Sequence, residues 1–118
     1  MKKAFLINGT VHLIFAIYLY LGGLGQIFEM RFFSIALLVL ALISLIAYTS
    51  YEENQFFRYL FLCFMFYNAV LSLVSYSMIN RADNSIRYFV FLHLILFIIF
   101  FLAYMNASKS ADNQHKTE

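Results

Sequence analysis

Four apolar runs, at about residues 4–21, 32–48, 57–79 and 88–105, constrain the fold of this chain more than any motif does. Each has the roughly 17 to 23 residues that an α-helix needs to cross about 30 Å of hydrocarbon at about 1.5 Å per residue. Polar or glycine-containing stretches separate them: Gly22-Gly23-Leu24-Gly25-Gln26 leading to Glu29 and Arg31, then Thr49 to Asn54, then Asn80 to Arg87. Lipid offers the backbone no water to bond, so each run must satisfy its own N–H and C=O groups as a helix. Short links make sequential helices antiparallel neighbours. The sequence therefore predicts an all-α integral membrane protein, an antiparallel four-helix bundle forming a single domain over residues 1–105. Residues 106–118 change abruptly to Asn, Ser, Lys, Asp and Gln, with little to bury, and read as a solvated, disordered tail.

Composition agrees with the runs. Of 118 residues, 64% are hydrophobic and 12% charged, whereas a soluble domain has roughly a quarter of its residues charged. A chain so short of polar residues cannot cover an apolar mass of this size in water. The net charge of +2 is spread over ends and loops, which excludes the dense basic patch that nucleic-acid binding requires. Cys63 is the lone cysteine, so neither a disulfide framework nor a cysteine-based metal site is available. Proline is absent, and with it the commonest cause of a kinked span. Met1-Lys2-Lys3, the first apolar run and Gly23-Leu24-Gly25 have the zoning of a secretory signal. Asn8, Thr10 and His12 interrupt the apolar zone such a signal needs, so the run is read as a span.

Lys and Arg in the short flanks set orientation. With both termini inside, Lys2, Lys3, Arg58, Lys109 and Lys116 lie in the cytoplasm and Arg31, Arg81 and Arg87 outside. This bias favours cytoplasmic termini, with insertion in both orientations as the competitor, and the expected location is a bacterial inner membrane. Tyr20, Tyr48, Tyr51, Tyr59, Tyr76, Tyr88 and Tyr104 fall near run ends, where amphipathic rings suit the membrane interface. A faint repeat joins the second and fourth runs without a gap: Arg31/Arg87, Phe33/Phe89, Leu38/Leu94, Leu40/Leu96, Ile43/Ile99, Ala47/Ala103 and Tyr48/Tyr104. A true duplication would relate two helical hairpins by an axis along the membrane normal.

The polar residues inside the runs are the candidates for function, since a polar group in hydrocarbon must be met by another or by water. Asn8 and His12 share one face of the first helix, and Asn68, Ser72, Ser75 and Tyr76 follow the spacing of one stripe on the third. By helix rise, His12, Asn68, Ser72 and His93 share a band of about 5 Å of depth. Such residues commonly hydrogen-bond between helices, at about 0.6 kcal/mol each. The same four residues are the candidate cofactor-binding cluster, because two histidines could ligate haem iron or bond a quinone. No third ligand stands at that depth for zinc or copper. His115 belongs to the tail. The acids Glu29, Glu52, Glu53, Asp83, Asp112 and Glu118 lie in links or tail, which removes a buried carboxylate for proton-coupled export. No catalytic motif appears, so no enzyme is expected. The expected function is contact with other membrane proteins, as an accessory, assembly or immunity-type protein, with the lipid bilayer and a membrane protein or a second copy as partners. The alternatives are a small oligomeric channel or transporter, and a haem- or quinone-binding subunit.

Overall fold

A computed structural model describes residues 1–21, 28–77 and 85–117 of the chain. It is all α: α1 (Lys2–Leu21), α2 (Phe28–Thr49), α3 (Gln55–Ser77) and α4 (Ser85–Thr117). Each helix is long and apolar enough to cross a membrane. The expected links at 22–26 and 80–84, and the last two positions of the third run, lie outside the described residues. The link after α2 opens as the backbone N–H of Ser50 bonds the carbonyl of Ile46 at 2.9 Å, extending the helical pattern by one residue. Asn54 then starts α3. Its Oδ1 accepts the backbone N–H of Phe57 at 3.1 Å, the geometry of a helix N-cap.

The chain divides into two compact units, Lys2–Glu52 and Glu53–Glu118 together with Met1. Each is a helical hairpin. In the first, Ser34 Oγ donates to the Ala16 carbonyl at 2.7 Å and Ser44 Oγ to the Phe5 carbonyl at 2.8 Å. As the α1 position falls from 16 to 5, its α2 partner rises from 34 to 44, so the helices run antiparallel. Their seam is rich in small residues: Ala4, Ala16, Ala41 and Ala47 are all buried, as are Gly9, Ser34 and Ser44, beside the larger Phe5 and Leu37. Gly9 permits a close approach. A Cβ there would stand 2.7 Å from Leu45 Cγ and 3.1 Å from the Ala41 carbonyl oxygen. At the open end of the hairpin Lys2 Nζ lies over the Tyr48 ring, 5.1 Å from its centre, and Phe5 meets Tyr51 at 6.2 Å.

The second hairpin fills its seam with rings. Phe61 stacks on Phe100 at 4.6 Å between centres, and Phe64 meets the same ring at 6.3 Å. Ser72 Oγ donates to the Val90 carbonyl at 3.2 Å, and as the α3 position rises from 61 to 72 its α4 partner falls from 100 to 90, so this pair is antiparallel as well.

One expectation needs correction. The polar residues after Met105 continue α4 as helix to Thr117 rather than forming a disordered tail. Extending an existing helix requires no new nucleus, and this stretch has neither Gly nor Pro to stop it. Ala107, Lys109, Ala111, Gln114 and Lys116 are good helix formers, and Lys116 lies in the last turn, where a cation meets the negative end of the dipole. At 33 residues α4 is about 50 Å long, well beyond the hydrocarbon thickness.

Gly9→Ala tests the seam. Alanine gains about 1 kcal/mol in helix propensity, yet overpacking against a backbone carbonyl and a leucine branch point costs about 1–3 kcal/mol. Thermal unfolding in detergent is expected to show a net loss of stability. A rise in Tm would mean that α1 and α2 are not in this contact.

Candidate functional site

Asn8 and His12 stand one turn apart on α1, and neither is accessible to solvent beyond 1%. Asn8 Nδ2 donates to Ser44 Oγ at 3.2 Å, while that hydroxyl donates onward to the Phe5 carbonyl. A polar chain thus runs from α1 to α2 and back to the α1 backbone. His12 Nδ1 lies 2.8 Å from the Asn8 carbonyl oxygen. A carbonyl only accepts, so in the neutral ring Nδ1 carries the proton and Nε2 is an acceptor.

The second hairpin holds the other three candidates. Asn68 Nδ2 donates to the Phe64 carbonyl at 2.9 Å, and His93 Nδ1 lies 2.9 Å from the Phe89 carbonyl, repeating the His12 arrangement. The Phe89 ring packs on the His93 ring at 4.1 Å between centres. Ser72 bonds the carbonyl of Val90, one turn before His93. Asn68, Ser72 and His93 therefore belong to facing helices of one hairpin, and His12 belongs to the other.

The stripe read along α3 is correct for Asn68, Ser72 and Ser75, which are buried, but Tyr76 turns outward with 68% of its surface exposed. Position 76 lies one residue past the buried Ser75, a rotation of about 100° that carries it off the seam. Two buried polar residues escape the sequence reading: Ser34 and Ser44. Single hydroxyls in runs of Leu and Ile raise little alarm. The spacing Ser34, Leu37, Ala41, Ser44 would have marked one inward face.

Among the described residues no three His, Cys, Asp or Glu side chains gather as a metal site. An apolar groove of about 330 Å³ opens between α1 and α2, lined by residues that include Ala16, Tyr20, Ser34 and Leu38. Its one serine hydroxyl is engaged with the Ala16 carbonyl. The chain matches no family of known proteins, no curated protein and no solved structure.

The Asn8–Ser44 pair yields a quantitative expectation. Ser44→Ala and Asn8→Ala should each cost about 0.6–1.7 kcal/mol, the range of interhelical bonds in membrane proteins. The double variant should lose less than their sum, because each single change already breaks the shared bond. Strict additivity in a thermal or denaturant cycle would show that the two side chains do not interact.

Proposed function

We propose that the protein is an integral protein of the cytoplasmic membrane that acts by contact with other membrane proteins, as an accessory, assembly or immunity-type component. Its four spans form an antiparallel bundle with both termini in the cytoplasm. The observation that carries this reading is the division of each span into a narrow buried seam and a broad apolar outside. Only 33%, 28%, 28% and 22% of the four spans is buried within the chain. Large side chains such as Phe32, Phe66, Leu73 and Phe91 are more than 60% exposed. A surface of this kind suits lipid or another membrane helix, since apolar exposure on this scale in water would mark an interaction site or a liability. Asn8, Ser34, Ser44 and Ser72 are committed to carbonyls and hydroxyls of their own hairpin, the pattern of residues that specify helix pairing. The orientation rests on the cations at Lys2, Lys3 and Lys109 on one side against Arg31 and Arg87 on the other.

Two measurements test this reading. A photoreactive residue at Phe66, Leu73 or Phe91 in living cells should give a discrete cross-link to one other membrane protein, and reconstituted protein should be colourless and pass no protons or potassium. Cross-links to lipid alone, or an ion flux abolished by His93→Ala, would replace contact with permeation. An intense haem absorption band lost in His12→Ala or His93→Ala would replace it with redox chemistry. For orientation, on a Cys63→Ser background, Ser50→Cys should be protected from a membrane-impermeant reagent in intact cells and Asp83→Cys labelled. Equal labelling would indicate insertion in both orientations.

A further inference from the structure

The contacts inside the two hairpins correspond at a single offset, the 56 positions that separate Phe5 from Phe61. In the first hairpin Ser34 on α2 bonds the Ala16 carbonyl on α1; in the second, Ser72 on α3 bonds the Val90 carbonyl on α4. Ser72 and Val90 are the counterparts of Ala16 and Ser34. The same two backbone positions are joined, with the hydroxyl moved to the opposite helix. The Ser44–Phe5 bond corresponds to the Phe100–Phe61 stack, and Asn8–Ser44 to Phe64–Phe100. His12 Nδ1 at the Asn8 carbonyl corresponds to Asn68 Nδ2 at the Phe64 carbonyl.

The sequence follows the same offset beyond the second and fourth helices. Lys2/Arg58, Phe5/Phe61, Leu6/Leu62 and Tyr20/Tyr76 pair in α1 and α3. Similar composition does not produce this, because an offset wrong by one residue turns a helix by about 100° and breaks every one of these contacts. The copies differ in what fills the seam: Gly9 and Ser44 in the first correspond to Met65 and Phe100 in the second.

We infer that the chain is a tandem repeat of one helical hairpin, and that His93 is the buried polar residue placed there for something other than hairpin packing. This goes beyond the contact reading and does not depend on it. The two copies act as controls for each other. His12 corresponds to Asn68, and both place a side-chain N–H on the carbonyl one turn back. His93 corresponds to Leu37, and both are 1% exposed. The hairpin therefore closes at this position with a plain aliphatic side chain. His93 instead places an imidazole there, its Nδ1 held by the Phe89 carbonyl.

The experiment compares full-length His93→Leu, Leu37→His and wild-type protein in detergent, by thermal unfolding and by 15N NMR of labelled imidazoles. His93→Leu is expected to keep the wild-type Tm within a degree or two, or to raise it. In Leu37→His, the new imidazole should adopt the Nδ1–H tautomer seen at His93, because its counterpart carbonyl belongs to Phe33, the match of Phe89. A drop of several degrees for His93→Leu, or its failure to fold, would make His93 a packing residue and overturn the assignment. A Leu37→His protein that unfolds, or whose imidazole carries its proton on Nε2, would overturn the repeat.

Discussion

A hydroxyl or amide in hydrocarbon has no water to turn to, and the backbone carbonyls of a facing helix are the nearest acceptors. That constraint organises the seam of each hairpin. Ser34 reaches the Ala16 carbonyl, Ser44 the Phe5 carbonyl and Ser72 the Val90 carbonyl, each across to the partner helix. Such bonds require the backbones to be close, which in the first hairpin requires Gly9 and a row of alanines. In the second, Phe61 and Phe100 hold the helices by ring stacking, and Ser72 makes a hydroxyl contact farther along the seam. One geometry is thus met by two chemistries. Close packing at small residues serves one copy, and aromatic area serves the other.

Much of this is legible in the sequence because the bilayer removes alternatives. Once a run of apolar residues is long enough to span, helix is the only conformation that closes its backbone bonds, and the starts of α1 and α3 and the end of α2 fall within two residues of the apolar limits. Buried polar residues are also legible where they are large and conspicuous, as with Asn8, His12, Asn68 and His93. Serine is harder. Ser34 and Ser44 make the interhelical bonds of the first hairpin, yet a hydroxyl differs so little from a methyl in composition that only its face on the helix gives it away. The end of α4 is misread when polarity alone is taken as a sign of disorder. A polar segment that could not start a helix can extend one.

The repeat also changes how the polar residues should be weighed. Read singly, two intramembrane histidines invite a shared site. Read against its counterpart, His12 does what Asn68 does, while His93 stands where Leu37 suffices. The two histidines have the same local bond and different reasons for being there. Interest in ligand chemistry therefore centres on the α3–α4 hairpin, where Asn68, Ser72 and His93 lie on facing helices.

The central claim is that one hairpin geometry occurs twice, and its most direct test is disulfide capture in the full-length protein on a Cys63→Ser background. Cysteines at Ala16 and Ser34 should cross-link on mild oxidation, and cysteines at Ser72 and Val90 should do so as readily, since both pairs are joined by a single side-chain bond to backbone. Moving the second cysteine of each pair two residues along its helix, from Ser34 to Ala36 or from Val90 to Leu92, should abolish the cross-link. Capture in only one hairpin, or equal capture at the shifted positions, would contradict the account.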